Sequence, residues 1–472
     1  FKCNLNTASY RRWKDLKTSN KQITLKEVKK SLKKRNELDV KRRFSPLIRV
    51  KDSVLIRTDI LDKRAMFNKM SEKIEYPQID PDKEAVQSKY IEGVHEELGR
   101  CLYIHDEEAV DIVLSTAVAN FLPGGPIWLL LVGPSGGGKT ALLNMFTGSE
   151  LSEPISKFTK NTLLSGDMNL PSNSGLLFQM NDKLIIIKDL APILEMGKEH
   201  RGEILSDLRD AYDGLVSKSW GTGRNTRWEG RFGLIGAATN AIDRHWKVFS
   251  ELGERFLRVN LKTDSKAQTA FAIEQVGSEE EEVKASLKRV GSEFLDHYKT
   301  AVSTNRPLVP DHLKSKISEL GIFVARLRTP VQRDRSKHVG TPPQPEVGTR
   351  LTKQLIKLAT AAAVLYKSPS VTEYGEYRLA LRAALDCIPT NRVYLLSGIL
   401  DGGRSVGELA NHIGLAQTTV EYELIDFRLL GVTTKLPTGD GWAIEEETMA
   451  ALRNTDLAGY ISHNVPSPNL IG

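Results

Sequence analysis

Apolar positions recur at three- and four-residue spacing through residues 84–104 and again through 106–122, and this spacing predicts two helices. LPGGP stops the second one. IWLLLVG (127–133) then runs apolar without alternation, the pattern of a central strand buried on both faces. Four more short runs read as strands: NTLLSG (161–166), KLIIIKD (183–189), FGLIGAAT (232–239) and FLRVNL (256–261). Helical segments lie between them, notably HRGEILSDLRDAYDG (200–214). Strands alternating with helices predict an α/β fold, a parallel sheet with helices on both faces. Beyond about residue 265 the pattern is helical. SEEEEVKASLKRV opens on Ser278 as N-cap with Glu281 three residues on, a capping box. HVGTPPQPEVGT (338–349) is a loop, and TRLTKQLIKLATAAAVLY and TEYGEYRLALRAAL form a helical pair.

The ends of the chain read differently. ITLKEVKKSLKKRNELDVKRR has helical composition but a weak apolar stripe, and YPQIDPD (76–82) reads as an extended linker because two prolines block helix. Near the other end, SVGELANHIG and QTTVEYELIDFRLLG predict two helices around a GLA turn. TTKLPTGDGWAI adds a strand–turn–strand pattern. Val420, Leu424 and Phe427 or Leu430 would face the core of this module.

Length and charge narrow the classes. The 472 residues suggest two to four domains with ample core. No run approaches the roughly 20 apolar residues of a membrane span, and no secretory signal pattern is seen. Because Phe1 stands first, the natural start is expected upstream. Cys3, Cys101 and Cys387 are far apart with no C-x-x-C pair, which suits a reducing cytoplasm rather than a disulfide framework or a zinc site. Residues 1–50 hold 16 Lys/Arg against 4 Asp/Glu, a net +12, which leaves −5 on the rest of a chain whose total is +7. A basic arm on a mildly acidic body points either to a nucleic-acid partner or to a solvated helix face.

One stretch carries definite chemistry. Gly133, Pro134, Ser135, Gly136, Gly137, Gly138, Lys139 and Thr140, followed by Ala141, fit the Walker A pattern G-x-x-x-x-G-K-S/T, with a strand before and a helix after. Phosphate oxygens must come close to the backbone, so side chains have to be absent there. Successive N–H groups and the helix start then form the anion nest. Lys139 reaches the β- and γ-phosphates, and the Thr140 hydroxyl is a hard ligand for Mg2+. Asp189, after three isoleucines, fits Walker B, a buried strand delivering one carboxylate to hold Mg2+ through water. The expected ligand is therefore ATP with Mg2+.

FGLIGAATN ends on Asn240, and GERFLRVNL places Arg255 before the next strand. Walker A, Walker B, a strand ending A-T-N and an R-F pair, in that order, resemble the AAA+ ATPases over roughly residues 100–390. By that resemblance Asn240 is the sensor-1 residue that orients the attacking water, or else a cap for the next turn. Arg255 is the arginine finger that reaches a neighbouring subunit's γ-phosphate, or else a surface ion-pair residue. A finger acting between subunits implies a homo-oligomer, a hexamer by analogy. TRLTKQLIKLATAAAVL loosely resembles the lid of minichromosome-maintenance helicases, which makes Arg350 the sensor-2 arginine, or a basic residue opening an amphipathic helix. The resemblance divides the chain into a basic arm and linker (1–82), an AAA+ core (83–265), a helical lid (266–388), a winged helix-turn-helix (389–450) and a tail (451–472). In one place the sequence departs from the family. Leu190 follows Asp189 where a water-polarising glutamate is usual, so a general base would have to come from Glu150, Glu153 or Glu195.

LVSKSWGTGRNTRWEGRFGLIG (215–236) predicts a β-hairpin with Lys218, Arg224, Arg227 and Arg231 interleaved with Trp220 and Trp228. Lys218, Arg224 and Arg227 would contact single-stranded DNA in a central pore, as similar hairpins do in the resembling helicases. Otherwise the tryptophans pack on the sheet of a surface hairpin. The second helix of the C-terminal module is expected to expose Glu421, Glu423 and Asp426 against Arg428 alone, and carboxylates repel phosphates. Gln417, Thr418 and Thr419 remain free to read bases, so DNA contact and protein docking both stay open. These features suggest an ATP-driven, ring-forming DNA helicase or translocase of the kind phages and mobile elements often carry. The other reading is an ATP-dependent DNA-binding regulator or loader with slow hydrolysis.

Overall fold

The structure is a computed structural model, and it describes residues 5–19, 23–41, 81–158, 162–171, 173–221, 223–245, 255–274, 280–304, 306–334, 336–436 and 441–465. The chain divides into two compact units, Phe1–Glu84 and Ala85–Gly472.

In the first unit, Leu5–Ser19 and Leu25–Lys41 form a helical hairpin. Thr24 caps the second helix. Its hydroxyl accepts from Glu27 N (3.3 Å), and Glu27 Oε2 accepts from Thr24 N (2.9 Å), a reciprocal capping box. The Trp13 indole donates to Ile23 O and ties the turn to the first helix.

The second unit is built on a five-stranded sheet: β1 (Trp128–Val132), β2 (Ser152–Ile155), β3 (Leu184–Ile187), β6 (Gly233–Ala238) and β7 (Phe256–Asn260). Their order is β2-β3-β6-β1-β7, and every pairing is parallel. This is the α/β architecture the pattern predicts. Alternate residues feed two apolar clusters. Leu129, Leu131, Ile186, Ile235 and Val259 face one, and Trp128, Leu130, Ile185, Leu234 and Phe256 face the other. Burial on both faces explains the unbroken apolar run of β1.

The helix Glu107–Ala119 fills the first face and is buried at Ala109, Val110 and from Ile112 to Ala119. Asp106 caps it by accepting from Ala109 N (3.2 Å). Asn120 ends it and joins its last turn to the start of β1, since its side chain donates to Thr116 O and Ile127 O and accepts from Ile127 N.

One expected strand is corrected. The second strand of the sheet is Ser152–Ile155, and the described residues 162–166 form a loop. Leu163 and Leu164 are buried, but the loop backbone pairs with 174–177 rather than with a strand: Leu176 N donates to Thr162 O and Ser165 N to Ser174 O. SEPI is an edge strand, where Pro154 is tolerated and the apolar signal is weak. A second correction concerns the linker, because the helix Pro81–Cys101 begins at the proline that was expected to block it. Pro at a first helical position leaves no donor stranded. Ser278 and its capping box lie outside the described residues.

The hairpin is present as β4 (Leu215–Ser219) and β5 (Asn225–Glu229), antiparallel and separate from the main sheet. The helices Thr349–Leu365 and Glu376–Asp386 pack on the first face of the sheet. The helices Thr390–Leu400, Val406–Ile413 and Gln417–Leu429 follow, then the antiparallel pair β8 (Thr433–Lys435) and β9 (Trp442–Ile444). Val420, Leu424, Phe427 and Leu430 are all buried. The expected acidic face is corrected. Asp426 is 8% exposed and pairs with Arg333, and Glu423 pairs with Arg392 at 3.0 Å, so only Glu421 of the three stands exposed and without such a pair. Among the described residues no helix is long and apolar enough to cross a membrane.

Candidate nucleotide site

The ends of β1, β6 and β3 lie side by side, and each delivers one part of the site. Gly133 N donates to Ala238 O (3.2 Å), and Leu190 N donates to Ala237 O (2.9 Å), so the three strand ends are bonded laterally. The phosphate loop leaves β1, Asp189 leaves β3, and Asn240 leaves β6 between them. Asn240 is exposed and opens the 3-10 helix Asn240–His245.

Backbone conformation and close neighbours both require glycine in the loop. Gly136 and Gly138 have φ of +75° and +85°, which side chains resist. At Gly137 a Cβ would lie 3.0 Å from Thr263 Cγ2, and at Gly133 one would lie 3.2 Å from Leu261 Cβ. Leu102 packs against Gly138 in the same way, at 3.3 Å. Leu102, Leu261 and Thr263 thus wall the loop. None of them belongs to a motif, so only the folded chain reveals them.

Lys139 is nearly buried, and its Nζ donates to Gly133 O (2.8 Å) and Pro134 O (2.7 Å). Burial pushes its pKa down, and Asp189 opposes that shift. The helix Lys139–Asn144 follows directly, with Ala141 in its first turn.

Mg2+ fits this chemistry. Thr140 and Asp189 are both exposed at this edge and supply hard oxygens. Asp189 Oδ1 accepts from Ala191 N (2.9 Å), which fixes the carboxylate. Pro134, Ser135 and Gly136 are exposed on the loop's open side.

Topology ranks the candidate bases. Glu150 precedes β2 and so lies at the opposite edge of the sheet, and Glu153 pairs with Lys183 (2.9 Å) just before β3 starts. Glu195 ends the short helix Ala191–Glu195 beyond Asp189, is exposed, and belongs to the same edge as the loop. Leu190 is 5% exposed and points into the core, where a Cβ on Gly236 would strike it.

Arg255 and Arg350 lie elsewhere, and the structure brings them to each other. Arg255 immediately precedes β7, whose first residue pairs with the first residue of β1. It is 5% exposed, ion-paired with Asp213, and 5.5 Å from the Tyr212 ring centroid. Arg350 stands 6.0 Å from the same ring. Gln354 ties the group by donating to Tyr212 Oη (2.9 Å) and Arg255 O (2.7 Å). A cavity of 790 Å³ opens here, lined by Tyr212, Arg306, Arg350, Lys353 and Lys357.

The hairpin cations divide. Lys218 pairs with Asp207 (2.9 Å) and sits over Trp220. Arg224 donates to the carbonyls of Asp167, Leu170 and Pro171. Arg227 has a side chain 67% exposed, with a 3.4 Å contact to Glu229. Trp228 is buried at 2% and cannot stack on a base; Trp220 packs against Gly166. Cys101 and Cys387 are free thiols whose pKa values burial raises. Among the described residues no cluster of three or more His, Cys, Asp or Glu could hold a metal.

The cytidylate kinase family model matches residues 2–76, a stretch that ends before the phosphate loop begins. No curated protein matches the chain. The five-stranded parallel sheet with the phosphate loop at the end of β1 points to a P-loop nucleotide-binding protein.

Proposed function

We propose that this P-loop chain is an ATP-hydrolysing, oligomeric DNA motor, a helicase or translocase. The observation that carries the reading is the division of the site between two edges of one sheet. Lys139, Thr140, Asp189 and Asn240 gather at the ends of β1, β3 and β6, whereas Arg255 and Arg350 gather at the start of β7. Five strand residues separate the edges, about 16 Å. Arg255 therefore cannot serve the loop of its own copy. A second copy presenting its loop to the Tyr212 edge would let the γ-phosphate compete with Asp213 for Arg255. Such fingers contribute roughly 10³–10⁵ in rate. A ring follows, a hexamer by the AAA+ resemblance.

Within the site, loop N–H groups and Lys139 hold the phosphates, and Thr140 and Asp189 hold Mg2+. The ion supplies charge neutralisation on the phosphate oxygens. Asn240 orients water, and Glu195 is the base. For DNA, Arg227 is the exposed hairpin cation, and the Lys-rich helix Leu25–Lys41 adds phosphate attraction. The helix Gln417–Leu429 presents exposed Gln417, Thr418 and Thr419 at its start, in the manner of a winged helix.

Leu190 favours a second reading, an ATP-dependent DNA-binding regulator with slow hydrolysis. The test is ATP hydrolysis with and without single-stranded DNA, for wild type, Lys139→Ala, Arg255→Ala and an equal mixture of the two variants. Each variant alone should lose about 10³ in turnover. The mixture should regain activity, because some interfaces then combine an intact loop with an intact arginine. A mixture as inactive as its components, or full turnover by Arg255→Ala, would remove the oligomeric motor. Tight ATP binding with negligible wild-type turnover would select the regulator. Phosphate transfer to added cytidine monophosphate would select a nucleotide kinase instead.

A further inference from the structure

A buried ion cluster sits directly behind the phosphate loop. Arg382, in the helix Glu376–Asp386, is 2% exposed. Its Nη2 donates to Asn260 O (2.8 Å) and Asp106 Oδ2 (3.1 Å), and its Nε donates to Asp386 Oδ2 (2.8 Å). Asp386 accepts from Asn260 N (2.9 Å) and Asn260 Nδ2 (3.2 Å), and Asp106 accepts from Lys262 N (2.9 Å). Three side chains from two helical regions thus grip the backbone of residues 260–262.

The other side of the same segment presses on the loop. Leu261 N donates to Val132 O (2.7 Å), the last residue before Gly133. Leu261 and Thr263 are the walls against Gly133 and Gly137. Burying an arginine among carboxylates carries a desolvation cost, and apolar residues of similar size often stabilise a core as well or better. This cluster spends its hydrogen bonds on the backbone that abuts the loop.

We infer that Arg382 is a positioning residue for nucleotide binding, fixing residues 260–263 and, through Leu261 and Thr263, the shape of the phosphate loop. The inference rests on the nucleotide-binding reading above. Arg382 touches no phosphate itself.

The experiment uses the full chain. Affinity for a fluorescent ATP analogue with Mg2+, KM and kcat for ATP, and melting temperature are measured for wild type, Arg382→Met, Arg382→Lys, Asp386→Asn and Arg392→Met. Arg392 is the control for loss of a buried arginine. It is 5% exposed and donates to Leu327 O (2.7 Å) and Thr329 O (2.8 Å), backbone at the end of the helix Asp311–Arg328 rather than in residues 260–263. Arg382→Met should weaken nucleotide binding and raise KM about tenfold, the loss of a hydrogen bond to a charged group, with kcat much less changed. Arg382→Lys should recover part of the affinity, and Arg392→Met should keep it despite a similar fall in melting temperature. Where Arg382→Met does not fold, Asp386→Asn decides, with a smaller weakening expected. Unchanged affinity in the folded Arg382 or Asp386 variant would overturn the inference, as would an equal loss in Arg392→Met. Failure of the wild type to bind the analogue would overturn the nucleotide reading first, so the two failures are distinguishable.

Discussion

Leu190 occupies the position where a water-polarising carboxylate would be most useful, and its side chain is turned away from the site. It is packed on Gly236 of the neighbouring strand. A carboxylate placed there would be buried without a partner rather than aimed at water. Leu190→Glu should therefore lose about 3 kcal/mol of stability and gain no turnover, as read by thermal melting beside an ATPase assay. Glu195→Gln should lower kcat about a hundredfold and leave nucleotide affinity unchanged. An unaltered kcat in Glu195→Gln would take that residue out of the reaction.

At the scale of elements, the hairpin and the loop 166–171 behave as one piece. Arg224 caps three carbonyls of that loop, and Arg227 projects from the opposite strand face. Arg224→Ala should cost about 1–2 kcal/mol and make the loop easier to cleave, because backbone acceptors lose a charged donor. Arg227→Ala should leave the melting temperature unchanged and lower the salt slope of DNA binding by about one. A salt slope unaltered by Arg227→Ala would separate the hairpin from DNA. The helix Thr349–Leu365 carries a different signal. Burial, with Arg231 nearby, pushes the Lys357 pKa down to about 8 from 10.5. Between those values the unfolded chain binds the extra proton, so this group makes stability rise with pH from about 8 to 10.5. Lys357→Met should therefore raise the melting temperature at pH 7 and lose that advantage near pH 10.5. A shift independent of pH would exclude the linkage.

At the scale of the molecule, one apolar cluster runs from Val94 through the helical segment to Ile461. Tyr377 Oη donates to Thr455 O (2.7 Å) and Tyr460 Oη to Glu108 Oε2 (2.7 Å), which stitches the C-terminal helices to the rest of this unit. Truncation after residue 388 strips Leu395, Leu396, Leu457 and Ile461 from that cluster. The shortened chain should lose its cooperative melting transition and expose apolar surface to dye. A sharp transition at the wild-type temperature would make the last segment an independent domain.

By itself the sequence determined the phosphate loop, the Asp189 strand, the two-sided burial of β1 and the hairpin, because each depends on local spacing: glycines where oxygens approach, and apolar runs where both faces are covered. The edge strand at 152–155 stayed hidden behind Pro154, and the loop at 162–166 looked like a strand because Leu163 and Leu164 are buried without pairing. Tertiary structure alone decided which glutamate shares an edge with Lys139, and that Asp426 and Glu423 turn inward to arginines. It also brought Arg255 and Arg350 together around Tyr212, and set Arg382 behind the loop it braces. These are contacts between residues tens to hundreds of positions apart, and such contacts leave no periodicity in the chain that makes them.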